Sequence, residues 1–186
     1  MKKICLLIML SFLSSCLISA SQNSAITPGE PSYFPLITGA NLNGQNYNLP
    51  KDFTGKINIV AIGFEREHQI AIDTWIPQIQ KVIESNKNLS IKFYELPVIY
   101  ELGTFSRAWI NNGMRIGIRD EEARNRTITI FTNRDKFIEI LKMKIDKIYL
   151  IVLDDNGKIL WRCEGEMTRE KLNLLQRILE SYKIKN

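Results

Sequence analysis

Residues 57–64, Ile57-Asn58-Ile59-Val60-Ala61-Ile62-Gly63-Phe64, run almost unbroken in apolar side chains between Lys56 and Glu65. A strand with one wet face alternates polar and apolar residues, whereas a strand apolar on both faces has to be covered on both. The run is short, rich in β-branched residues and bounded by charge, which suits a buried strand better than a helix. It requires a sheet with helices packed on each side, an α/β fold, and the rest of the chain has to supply that cover.

The cover is visible in the spacing. Ile72, Trp75, Ile76, Ile79 and Ile83 recur at helical intervals over residues 68–85, with Pro77 expected to kink that helix. Residues 89–95 read as a second strand. Thr104 is placed to cap a short helix carrying Phe105, Ala108 and Trp109 and ending at Gly113. Residues 127–132 alternate threonine and apolar residues as a third strand, and 135–143 follow as a helix. Residues 148–153 and 159–163 flank Asn156-Gly157, a pair suited to a tight hairpin turn because both residues tolerate positive φ. Thr168 then caps a last helix with Leu172, Leu175, Ile178, Leu179 and Tyr182 on one face. Residues 114–126 mix charges without a period, and 41–45 read as a turn. The expected order is β-α-β-α-β-α-β-β-α: a central mixed sheet flanked by helices, closed by a hairpin and a helix. At 186 residues, 45% hydrophobic and 24% charged, the chain has material for one such domain and is no candidate for general disorder.

The N-terminus reads as an export segment. Lys2 and Lys3 precede an apolar stretch, residues 4–13, of about ten residues, too short to span a bilayer as a helix. Leu13-Ser14-Ser15-Cys16 follows and resembles the lipoprotein processing box, which implies a diacylglycerol thioether on Cys16 and cleavage before it. Only a thiol can form that bond. Residues 1–16 are therefore expected to be a lipoprotein signal peptide, 17–32 a flexible tether of Ser, Asn, Gln, Pro and Gly, and 33–186 the domain. The expected location is the bacterial envelope, lipid-anchored and facing the periplasm. Leu17 in place of aspartate points to the outer membrane rather than the inner one. Ile18-Ser19-Ala20 offers an ordinary cleavage site instead, which would release a soluble secreted form; an uncleaved anchor is the remaining alternative.

Tyr33-Phe34-Pro35, Gly55-Lys56 before the apolar strand, Trp75 with Pro77, and Gly113-Met114-Arg115 form a recognisable set. So do Ile148-Tyr149-Leu150-Ile151-Val152, Gly157-Lys158-Ile159, Trp161 and Gly165. Over residues 32–180 the chain resembles the mitochondrial ATP synthase assembly factor family, together with bacterial thioredoxin-like proteins. The resemblance implies a thioredoxin-like fold with a C-terminal β-hairpin and helix, and a chaperone or assembly role exercised on a protein partner without redox chemistry. The export segment sets this chain apart from a factor that works inside a mitochondrion; an unusual envelope enzyme using His68 with nearby carboxylates and a structural envelope lipoprotein are the alternatives.

The residues themselves argue in the same direction. Thioredoxin chemistry needs a low-pKa thiolate at a helix N-terminus and a second cysteine three residues on. The window Glu65-Arg66-Glu67-His68-Gln69-Ile70-Ala71-Ile72 contains no cysteine in any register, and Lys147-Ile148-Tyr149 lacks the proline that thioredoxins place before the hairpin strand. Cys5 leaves with the leader and Cys16 is assigned to lipid, so Cys163, in an apolar strand, has no partner for a disulfide and is expected to be buried and inert. His68 is the only histidine. It stands at the strand-to-helix junction, where it could contact a partner, act as a base with Glu65 or Glu67, or simply begin a helix at the surface. Arg66, His68 and Gln69 at the junction, with Arg115 and Arg119 in the charged stretch, are the candidate binding residues. The arginines there interleave with Asp120, Glu121 and Glu122, which suggests a local ion-pair network; an anion or acidic-partner site is the alternative. Trp75, Trp109 and Trp161 are expected in or near the core, and an exposed one would suggest a partner anchor. No cofactor and no metal site is expected, and a net charge of +5 without any basic block gives no nucleic-acid footprint.

Overall fold

A computed structural model describes residues 29–185. The expected leader, its Cys16 and most of the expected tether lie outside the described residues. Strand β3 (Ile57–Gly63) is buried along its whole length. It pairs in parallel with β4 (Ile91–Tyr100) and antiparallel with β6 (Tyr149–Asp154). With β1 (Ile37–Asn41), β2 (Asn46–Leu49), β5 (Ile128–Thr132) and β7 (Ile159–Glu164) they form a seven-stranded mixed sheet in the order β2-β1-β5-β4-β3-β6-β7.

The pleat of β3 divides the core in two. Val60 and Ile62 face a cluster with Phe34, Phe53, Leu96, Ile130, Phe137 and Leu141, covered by α5 (Arg134–Ile140). Ile57, Ile59 and Ala61 face the other, with Trp75, Ile79, Val152, Trp161, Leu175 and Leu179. That side is covered by α1 (His68–Asp73), α2 (Ile76–Ser85) and α6 (Arg169–Lys185). Every buried member of both clusters lies between Phe34 and Leu179. Asn58, polar within this strand, is buried because its amide exchanges two hydrogen bonds with the backbone of Gly55, at 3.0 and 2.9 Å. That pair closes the turn before β3.

Several elements differ from the sequence expectation. The helix expected at 68–85 is two helices, and Pro77 sits in the first turn of the second rather than kinking a continuous one. The break is tied down from elsewhere: Thr74 Oγ1 accepts from Met167 N–H at 2.9 Å, and Trp75 Nε1 donates to Gly165 O at 3.0 Å. The strand expected at 89–95 starts at Ile91, after a short 3₁₀ turn, and runs on to Tyr100. The turn at 41–45 joins a β-hairpin, β1 to β2, that went unrecognised because its strands are short and polar. Helix α3 (Thr104–Gly117) starts at Thr104, uncapped by that side chain, and runs through Gly113. The charged stretch ends in α4 (Glu121–Arg126), where Asp120 accepts from Ala123 N–H at 2.6 Å. The helix expected at 135–143 is one residue earlier at its start and shorter, capped by Asn133. In the β6–β7 turn only Gly157 has positive φ, +75°, while Asp154 Oδ1 holds the loop through the N–H groups of Asn156 and Lys158. A Cβ at Gly157 would stand 2.3 Å from Pro50, so the turn is closed to other residues on two counts.

Gly29, Glu30 and Ser32, from the segment expected to be tether, touch the domain. Glu30 pairs with Arg162 at 2.9 Å, Lys142 Nζ donates to Gly29 O, and Ile159 N–H donates to Ser32 O at 2.8 Å.

Candidate functional site

The C-terminal end of β3 delivers the chain to the junction where α1 begins. There the Phe64 N–H donates to His68 Nδ1 at 3.1 Å, with the two rings edge to face. Nδ1 therefore carries a lone pair and the ring serves as the acceptor that ends the strand. Among the described residues no carboxylate bonds to His68, so the arrangement of a histidine base with Glu65 or Glu67 is not formed. Glu65 turns instead to Arg134, at 3.0 Å. Arg134 is buried; it also donates to Phe64 O at 2.9 Å and lies 3.8 Å over the Tyr100 ring. Tyr100 in turn donates to Asp135 at 3.2 Å. A guanidinium thus bolts the start of α5 to the end of β3. The desolvation of that cation is offset by a carbonyl, a carboxylate and an aromatic face.

Gln69 is held as firmly. Its Nε2 donates to Asp73 Oδ1 at 2.8 Å and to Glu95 Oε2 at 3.1 Å. Glu95 is buried on β4, and its other oxygen accepts from Arg126 Nε at 2.9 Å. A buried carboxylate is tolerable when both oxygens are satisfied and a cation is adjacent. Three side chains at the junction, Glu65, His68 and Gln69, therefore serve internal networks. Arg66 and Glu67, by contrast, are exposed and make no ion pair among the described residues, and Ile70, in the first turn of α1, is 72% exposed.

The remaining candidates, Arg115 and Arg119, lie at the far end of α3 and share no contact with the junction group. Both are exposed. The expected ion-pair network is absent among the described residues: Asp120 caps α4, Arg126 reaches Glu95, and Arg124 bonds Asn43 Oδ1 and the carbonyls of Ile118 and Arg119. Helix α3 buries none of its residues. Its inner side faces the β2-β1-β5 end of the sheet across a groove of about 400 Å³ lined by Thr38, Asn46, Asn48, Arg107, Asn111 and Thr129, among others. Arg107 lies 5.3 Å over the Phe131 ring and bonds Leu102 O. Trp109 is not near the core, as expected from sequence, but 75% exposed, while Trp75 and Trp161 are buried.

The sequence profile of the ATP10 protein family matches residues 18–181. The chain belongs to the ATP10 protein family. No curated protein sequence matches it. Among solved structures it is similar to a thiol:disulfide interchange protein from Bacteroides sp., at 19% identity and a TM-score of 0.53, over 80% of this chain and 88% of that one. It is also similar to yeast Sco1 with copper bound, at 15% identity and a TM-score of 0.51, over 83% of this chain and 95% of that one. These likenesses establish the fold, which is thioredoxin-like.

In this ATP10-family chain the one cysteine among the described residues, Cys163, lies on β7. Burial is the main cause that pushes its thiol up to about 12, and the nearby Lys171 and Arg162 charges only partly oppose it. A thiol held protonated to that extent is a poor nucleophile. Arg134, Glu95 and Tyr100 escaped sequence reasoning, because each meets its partner across 26 to 70 residues of chain and none carries a local motif.

Proposed function

We propose that this chain is an exported, lipid-anchored, redox-silent member of its family that acts by contact, as an assembly- or chaperone-type factor for a protein partner. The observation that carries the reading is the state of the strand-to-helix junction. Its sequence offers no thiol, and His68, Gln69 and Glu65 are spent on holding β3, α1, β4 and α5 together. What those networks leave free at the surface is Arg66, Glu67 and Ile70, two opposite charges and an aliphatic side chain within one turn of sequence. That mixed surface suits a short extended segment of a protein better than a reacting small molecule. The family supports an assembly role, and the lipobox at Cys16 supports a tether that keeps the domain at the periplasmic face of a membrane, most simply the outer one.

Two measurements test this. A photocrosslinking residue in place of Ile70, in the full chain in its own cells, is expected to yield a discrete protein adduct that Arg66→Glu abolishes. The same residue in place of Lys136, on α5, is expected to yield none. Metabolic labelling with an alkyne-tagged fatty acid is expected to mark the chain, and Cys16→Ser to remove the label. Background-level crosslinking at position 70 overturns the contact reading, and an unlabelled parent chain, or label that survives Cys16→Ser, overturns the lipid anchor.

A further inference from the structure

Helix α3 carries an apolar stripe on the side turned away from the protein. Phe105, Trp109 and Ile116 follow one another at spacings of four and seven residues, so they stack along one edge of the helix. They are 88%, 75% and 79% exposed. The inner side is mixed: Ile110 and Met114 are half-buried there beside Arg107 and Asn111. A helix with large apolar side chains on its outer edge as well as its inner side is normally covered on both. Asn112 interrupts the edge between Trp109 and Ile116, so the patch is an aromatic pair with an isoleucine two turns on; large apolar side chains are often exposed one at a time, but three on one helix edge call for an occupant.

The charge around the stripe selects that occupant. From Thr104 to Arg119 the chain contains three arginines and no aspartate or glutamate. Arg107 is turned inward and pairs with Glu101 at 3.5 Å. Arg115 and Arg119 remain exposed beside the stripe without an acidic partner among the described residues. The acids that follow, Asp120, Glu121 and Glu122, are exposed as well, but they open α4, where Asp120 caps the helix and Glu121 and Glu122 stand at the positive end of its dipole. Aromatic and aliphatic side chains on one face with arginines at its margin make up the pattern of a helix lying in a lipid headgroup region, with tryptophan at the boundary between apolar and wet. We infer that the Phe105–Trp109–Ile116 face of α3 docks on an anionic lipid surface. The stripe enters the headgroup layer and Arg115 and Arg119 bind lipid phosphates. This goes beyond the proposed function and does not depend on lipid at Cys16.

The test uses a chain beginning at residue 17, which lacks Cys16 but keeps every residue of both cores. It is mixed with vesicles of phosphatidylcholine alone, or with about a third of the lipid replaced by phosphatidylglycerol. Because Trp75 and Trp161 are buried, a blue shift of tryptophan emission on adding vesicles reports Trp109. The expected result is co-sedimentation with the anionic vesicles and a blue shift. Phe105→Ser with Trp109→Ser should lower partitioning at least about tenfold. Arg115→Gln with Arg119→Gln should lower it about tenfold on anionic vesicles only. Trp109→Phe should keep partitioning while removing the shift, and circular dichroism should show each variant folded. Three results overturn the inference: no partitioning into anionic vesicles, partitioning indifferent to Phe105 and Trp109, or a dimer in lipid-free solution that these serines dissociate. The last would assign the face to a second copy. A failed proposed function with intact vesicle binding, or the reverse, is read separately.

Discussion

Two ends of the molecule treat their functional-looking side chains in opposite ways. At the junction of β3 and α1, groups of the kind that do chemistry are consumed internally: His68 ends a strand, Glu65 pairs with Arg134, and Gln69 shares Glu95 with Arg126. On α3, Phe105, Trp109 and Ile116 have nothing over them. The junction, where thioredoxin-like folds react, is here a structural joint, and the side chains free to meet a partner under the proposals above lie at its rim and on α3. Substitutions at the junction should then register as lost stability, and substitutions on α3 as lost association.

The largest effect is expected at Arg134. Arg134→Ala leaves Glu65 and Phe64 O without their cation, and should lower unfolding free energy by about 3 kcal/mol in urea titration. A loss near zero would mean that the junction is not structural. Glu95→Ala should follow at about 2 kcal/mol, by stranding Arg126 and freeing Gln69. A smaller loss is expected with alkali. The folded chain holds the Cys163 proton up to about 12 against an ordinary thiol value of 9.0, so the native state binds more protons than the unfolded one above that value. Stability therefore falls as pH rises, by about 1 kcal/mol between about pH 9 and pH 10, and Cys163→Ala should remove that slope. Burial likewise holds the Tyr149 hydroxyl above its usual range, which adds a fall of the same sign at higher pH. The smallest effect belongs to Trp109→Ser, expected within about 0.5 kcal/mol of the parent in the same titration. A loss several times larger would mean the α3 stripe supports the fold and is not free to dock.

The elements readable in the sequence are those whose burial is local and periodic. Strand β3, the β6–β7 hairpin and α6 announce themselves by apolar spacing, and the α/β architecture follows from them. The β1–β2 hairpin does not, since Asn41, Asn46 and Asn48 give short polar strands at the edge of a sheet. Helix α4 was hidden because its acids and arginines look like a loop until Asp120 is seen to cap it and the charges to match the helix dipole. The junction was placed correctly by reading where a buried strand meets a helix, but its wiring was not. His68 takes a backbone donor rather than a carboxylate, and the ion pairs run between β4 and α4 and between α5 and the end of β3. Such contacts depend on sheet order, which residue spacing does not carry. Trp109 is the complementary case, where the helical period was visible but the side facing water was not.

The account rests on contact without sulfur chemistry, and a thiol–disulfide exchange assay addresses that claim directly. The chain from residue 17 and its Cys163→Ala variant would be added to insulin with dithiothreitol and the precipitation of reduced insulin followed. The account predicts the rate of dithiothreitol alone for both proteins. A faster rate for the parent that Cys163→Ala abolishes would contradict it.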